Sequence, residues 1–269
     1  MGSGTFKSSD GCMISFRLHP APGPRAPRIA LIHSLALDRS IWDGVVTAMK
    51  EGAEILTFDC RGHGRSERRA TPYTPELFAR DLAELLDHVG WEAVTVAGCS
   101  MGGCVAMAFA AGYPARTLGL GLIDTTAWYG PKAKEEWRER AVLARTKGFA
   151  GLIDFQTSRW FGDAFCAAEP DTIRALVEVF IGNDVECYGA TCNMLGQVDL
   201  RASLGAISTP TAVVVGEEDQ ATPVEMSRQL HESVKGSTLT IVPNARHLTP
   251  VEKPRDIAQA LLKLLPPQR

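Results

Sequence analysis

No stretch of this chain approaches the ~18 consecutive apolar residues that a membrane-spanning helix requires. The first residues lack the charged start and apolar run of a secretory leader. Basic residues never cluster beyond the pair Arg68-Arg69, and the net charge is -3, so the electrostatic footprint of a nucleic-acid binder is missing. Seven cysteines (Cys12, Cys60, Cys99, Cys104, Cys166, Cys187 and Cys192) show no C-x-x-C spacing, which argues against a metal centre. Their odd number and irregular spacing predict small free thiols in a reducing compartment. Internal repeats and low-complexity linkers are also lacking. These absences predict a cytoplasmic protein with no metal centre, no nucleic-acid partner and no membrane partner. No organic cofactor is expected, and a small-molecule partner and a monomer or homodimer are left open.

The 269 residues are 45% hydrophobic, enough for one sizeable core, and predict a single domain. Short apolar runs at 29–33, 54–59, 94–98, 118–124, 211–216 and 239–242 read as strands, with a further N-terminal strand or hairpin near 12–18 before a Pro-rich turn at 20–27. Helical patterns fill the gaps at 38–50, 75–89, 101–112, 223–234 and 253–265. This alternation predicts a mostly parallel sheet with helices on both faces, and such sheets bind ligands at the carboxyl ends of their strands. Between 125 and 208 the alternation breaks. Helical patterns at 131–147, 148–160, 170–181 and 184–195 predict a helical cap inserted over the strand ends.

Gly98-Cys99-Ser100-Met101-Gly102-Gly103 follows one of those strands and opens a helix. This is the G-x-S-x-G form of a nucleophile elbow, with the serine on a tight strand-to-helix turn. The turn strains the serine backbone and leaves no room for side chains at 98 and 102. A serine hydroxyl needs a base, and the base needs a third group to fix its tautomer. His247 follows the last strand and Asp219 the one before it, so both should emerge at the Ser100 edge. Glu217 and Glu218 are rivals to Asp219. The N–H groups of Met101 and Leu35 are candidates for an oxyanion hole, Leu35 lying in the turn after the strand at 29–33. Cys99 should point away from the site into packing. Of the other histidines, His19, His88 and His231 read as solvated.

These residues resemble the α/β-hydrolase superfamily, and the likeness spans nearly the whole chain. The order Ser100, Asp219, His247 is the one that resemblance implies. It also implies an Asp just before x-x-x-Pro, which favours Asp219 over its rivals. Asp59-Cys60-Arg61-Gly62-His63-Gly64-Arg65-Ser66 is similar to the D-x-R-G-H-G-x-S scaffolding turn, making His63 structural. Within the superfamily, the chain resembles 3-oxoadipate enol-lactonases through five segments: His33-Ser34-Leu35-Ala36 with Trp42-Asp43, Tyr73-Thr74 through Asp81-Leu82, the elbow, Arg159-Trp160-Phe161, and Asp184 through Tyr188 with Asp199-Leu200-Arg201 beyond it. The implied fold is an α/β-hydrolase with a helical cap. The implied reaction is serine hydrolysis of a carboxylic ester or lactone, an enol-lactone such as 3-oxoadipate enol-lactone above all.

An acidic substrate would need a cap cation. Arg159 is the first candidate and Arg138 the second, each with a surface ion pair as the alternative. Ser34, Trp137 and Trp160 are further candidates to touch substrate, the tryptophans being equally at home in packing. Two departures stand out: Ala36 replaces a usual Gly, and the bulky pair Trp128-Tyr129 would narrow the pocket if it projects inward. The same triad also serves other carboxylesterases, haloperoxidase-type perhydrolases and C–C bond hydrolases, and the fold serves ligand-binding receptors.

Overall fold

A computed structural model describes residues 2–21, 23 and 26–266. The strands are β1 (Gly2–Lys7), β2 (Met13–His19), β3 (Arg28–Ile32), β4 (Glu54–Phe58), β5 (Val94–Cys99), β6 (Thr117–Ile123), β7 (Thr211–Gly216) and β8 (Thr238–Val242). They form one sheet in the order β1-β2-β4-β3-β5-β6-β7-β8. The β1 and β2 pairings are antiparallel and all others parallel. β5 and β7 are buried at every position, as strands covered on both faces must be. The six expected parallel strands are present, with ends shifted by a residue or so. β1 was not anticipated, because its sequence GSGTFK buries only Phe6 and so carries no apolar alternation. The expected turn at 20–27 lies partly outside the described residues.

Helices α1 (Asp43–Met49), α2 (Pro75–His88), α3 (Met101–Gly112), α10 (Val224–Ser233), α11 (Thr249–Glu252) and α12 (Pro254–Leu262) connect or follow the strands. Helices α4 (Ala133–Lys147), α5 (Ile153–Trp160), α6 (Asp163–Ala168), α7 (Pro170–Ile181), α8 (Val185–Gln197) and α9 (Arg201–Leu204) are inserted between β6 and β7. The helix expected at 38–50 begins instead as a 3-10 turn over Arg39–Trp42, capped by Asp38 accepting from the Ser40 N–H. The one expected at 253–265 is broken into α11 and α12 at Lys253, where Pro254 supplies no N–H to continue the first. Among the described residues no helix is long and apolar enough to cross a membrane. All seven cysteines are free, and all but Cys166 are buried.

Because β3, β5, β6, β7 and β8 run parallel, their carboxyl ends share one edge. The residues just past those ends are Leu35, Ser100, Asp124, Asp219 and His247, which the fold thereby gathers.

Candidate active site

Ser100 sits at the β5–α3 junction with φ 56 and ψ -116, a conformation that few non-glycine residues adopt. Its neighbours explain how the turn closes. A Cβ at Gly98 would lie 2.0 Å from the Gly102 carbonyl oxygen, and one at Gly102 would lie 2.3 Å from the Ile32 carbonyl oxygen. Only glycine fits at either place. The backbone is then pinned from β6: the Ser100 N–H donates to Ile123 O (2.9 Å), and the Thr125 hydroxyl donates to Ser100 O (2.7 Å).

His247 Nε2 lies 2.9 Å from Ser100 Oγ, and His247 Nδ1 lies 2.8 Å from Asp219 Oδ2. All three groups are buried. Asp219 also accepts from the N–H groups of Ala221 (2.7 Å) and Thr222 (2.9 Å) and from the Thr222 hydroxyl (2.8 Å). Burial pushes its carboxyl up, but the His247 charge and these donors win and hold it below the ordinary carboxylate value. The rivals face elsewhere: Glu217 is exposed and accepts from the Asn244 N–H, and Glu218 is exposed beside Arg246.

Leu35 lies beside Ser100 in the cavity wall, in the turn after β3. His33 shapes that turn. Its Nε2 accepts from the Cys60 N–H (2.9 Å), which leaves Nδ1–H to donate to Ser34 O (2.7 Å). Burial keeps this ring neutral, pushed down to about 4. Ala36 takes the left-handed conformation, φ 57, where a glycine would be unstrained. Met101 opens α3, so its N–H has no intrahelical acceptor and lies one residue past Ser100.

A cavity of about 780 Å³ lies over Ser100 and His247 and is roofed by α4 and α5. Ser34, Trp137, Trp160 and Arg159 all line it. Arg138 does not: it is exposed on α4, and Arg140, more than half a turn further round, lines the cavity in its stead. Arg140 stacks on Trp137 at 4.9 Å and donates to Tyr188 Oη (2.9 Å) and Gln156 Oε1 (2.6 Å). Arg159 donates to Gln220 O (2.7 Å) and stacks on Phe155 at 5.1 Å. Burial, and then the charge of Arg140, push its guanidinium down. Among the described residues neither arginine has a carboxylate within 4.0 Å.

Trp128 and Tyr129 part company. Tyr129 lines the cavity edge-on to Trp137, whereas Trp128 lies under Arg201, 3.9 Å from its guanidinium, and outside the cavity wall. The histidines expected to be solvated differ too. His88 is exposed, but His19 bonds Thr57 Oγ1 (3.0 Å) and His231 bonds Ser237 Oγ (2.9 Å) on half-buried sites. The DCRGHGRS turn is a scaffold: Asp59 accepts from the Arg39 and Arg65 N–H groups, and Arg61 forks onto Asp81. Sequence reasoning missed Arg140, Gln156 and Asp124; only a Trp-x-x-Arg spacing on α4 could have flagged the first.

A profile described as the alpha/beta hydrolase fold matches residues 27–254, most of the chain. This protein belongs to the α/β-hydrolase family. Among its relatives, 3-oxoadipate enol-lactonase 2 of Acinetobacter baylyi is 30% identical over 239 residues, covering 88% of each chain. The crystal structure of an enol-lactonase from Burkholderia xenovorans superposes on this α/β-hydrolase with a TM-score of 0.92 at 30% identity, covering 97% of this chain and 99% of that one. A thermophilic esterase from Thermogutta terrifontis gives 0.89 at 28% identity, covering 98% and 97%.

Proposed function

We propose that this α/β-hydrolase cleaves a carboxylic ester or lactone through an acyl-enzyme on Ser100, and that its substrate is an enol-lactone such as 3-oxoadipate enol-lactone. The observation that carries the reading is the unbroken relay from Asp219 through His247 to Ser100, set beneath a cavity lined by Arg140 and Arg159, neither with a carboxylate within 4.0 Å among the described residues, together with Glu136 and Glu139. The likeness to enol-lactonases supports the choice of leaving group.

Ser100 Oγ attacks the lactone carbonyl as His247 Nε2 takes its proton. The oxyanion meets the N–H groups of Leu35 and Met101. The ring C–O bond then breaks, and the imidazolium returns the proton to the departing enolate, which becomes a ketone. A water molecule, deprotonated by the same imidazole, attacks the acyl-enzyme, and the acid leaves as Ser100 recovers its proton. Asp219 holds the Nδ1–H tautomer and stabilises the imidazolium. Arg159 and Arg140 offer planar forks to a substrate carboxylate. Tyr129 and Trp137 bound the acyl pocket with aromatic edges and favour a flat ring.

The test is a panel of lactones and esters, with and without a free carboxylate, assayed with wild type and Ser100→Ala. Carboxylate-bearing enol-lactones should show the highest kcat/KM, and Ser100→Ala should lose a factor on the order of 10⁶. Retention of most activity by Ser100→Ala would overturn the nucleophile; a preference for neutral esters would overturn the substrate.

A further inference from the structure

Asp124 takes no part in the relay, yet it is bonded to the segments that carry it. It directly follows β6, is completely buried, and has φ 47. Its N–H donates to Val214 O (2.9 Å). Its Oδ1 accepts from the Gly216 N–H (3.0 Å), three residues before Asp219. Its Oδ2 accepts from the Thr249 N–H (3.0 Å) and the Thr249 hydroxyl (2.6 Å), two residues after His247. The residues on either side of Asp124 hold Ser100, through Ile123 O and the Thr125 hydroxyl.

We propose that Asp124 is a positioning residue for hydrolysis, its carboxyl group clamping the Asp219 loop to the His247 loop so that the imidazole spans the gap to Ser100. The inference rests on the preceding reading that this relay does the chemistry. The clamp adds to direct bonds between the loops, in which the Glu217 N–H donates to Val242 O and the Glu218 N–H to Ala245 O, each at 2.9 Å; it extends that hold to Thr249, on the far side of His247, through a carboxyl group rooted on β6. The two loops are also in close contact. A Cβ at Gly216 would lie 2.2 Å from Arg246 O, so a small slip of either loop displaces the other.

The chemistry of the clamp calls for a carboxyl group. Three donors converge on two oxygens, and an amide offers only one acceptor. In Asp124→Asn the new NH₂ must confront either the Gly216 N–H or the Thr249 N–H, donor against donor, while size and shape are kept. Aspartate and asparagine both tolerate the left-handed backbone, so that variant isolates the hydrogen bonds from the strain. The ionisable groups facing Asp124 are Asp219, His247 beyond it, and the Cys99 thiol 4.0 Å from Oδ2. Burial, and then the charge of Asp219, push the Asp124 carboxyl well above the ordinary value, and the Thr249 and Gly216 donors pull it back only in part.

The experiment measures p-nitrophenyl acetate hydrolysis per active site, with sites counted by fluorophosphonate labelling, for Asp124→Asn, Thr249→Val and Thr249→Ser. A misplaced imidazole should lower kcat of Asp124→Asn by roughly 10²-fold with KM within about twofold. Thr249→Val should lose several-fold, and Thr249→Ser, which keeps the hydroxyl, should recover most of that loss. Per-site kcat within threefold of wild type in Asp124→Asn and Thr249→Val overturns the proposal even if both melt earlier. Should Asp124→Asn fail to fold, Thr249→Val decides alone by the same criterion. A wild type that is neither labelled nor active would instead sink the hydrolase reading itself.

Discussion

Asn183 donates through Nδ2 to Ala36 O at 2.7 Å, across 147 residues, and so ties the end of α7 to the turn that carries Leu35. The same amide also bonds Val179 O and Phe180 O, which fixes it to its own helix. Ala36 is held in a left-handed conformation that costs an alanine about 1–2 kcal/mol. The inserted helices therefore help to hold the strained turn of the candidate oxyanion hole.

Asn183→Ala should loosen the turn without touching the relay. Outright loss of one oxyanion donor costs roughly 10²–10³-fold, and a donor that is merely less well held should cost about tenfold in kcat with little change in KM. Steady-state kinetics on a short-chain ester measures this. An unchanged kcat would mean that the turn keeps its shape without help from α7.

Gly102→Ala should be among the most damaging single-methyl changes in the chain. Its Cβ would meet Ile32 O at 2.3 Å and His33 O at 2.7 Å, backbone atoms of the last residue of β3 and the one after it, which lead to Leu35. Relief requires the elbow to move away from β3. Overpacking of this kind costs about 3 kcal/mol, a fall in Tm of roughly 6–12 °C for a chain of this size. Calorimetry should show that drop together with loss of esterase activity; wild-type melting would refute the close approach.

Arg140→Gln and Arg159→Gln should each raise KM for carboxylate-bearing lactones by about tenfold and leave neutral esters within about twofold. A charge-assisted bond to a carboxylate is worth about 1.5–3 kcal/mol, which sets the scale. Arg138→Gln should leave both substrate types unchanged, since its side chain is exposed and outside the cavity wall. Equal losses on acidic and neutral substrates would remove the arginines from recognition.

His63 provides a stability test. Its ring is buried, and burial first, then the charge of His33, push it down to about 3 from the ordinary 6.5. The folded protein thus refuses a proton that the unfolded chain accepts. The stability associated with a neutral ring is complete above about 6.5 and is lost as the pH falls from there toward 3, at roughly 1 kcal/mol per unit. The gap in Tm between wild type and His63→Gln should accordingly be widest near neutral pH and shrink on acidification. A gap that stays constant or grows between pH 7.5 and 5 would contradict a neutral buried ring.

Much of the site was legible because its constraints are local. Gly98 and Gly102 announce the elbow, since the turn has no space for a Cβ there. Asp219 and His247 were legible because each follows an apolar run, and parallel strands deliver such residues to one edge. The cavity wall was not. α4 carries few apolar residues to set its phase, so nothing in the chain distinguishes Arg138 from Arg140. Trp128 and Tyr129 are adjacent and equally bulky, and the stacking of Trp128 under Arg201 depends on a segment some 70 residues further along.

The linear chain on its own determined the alternation of strands and helices, the strained serine and the identity of the groups that meet it, because these follow from backbone sterics and from the period of burial. Folding in three dimensions decided which guanidinium enters the cavity, which aromatic ring bounds it, and which buried carboxyl locks the two loops together. Those outcomes depend on helix phase and on hydrogen bonds between segments distant in sequence, and neither leaves a local pattern to read.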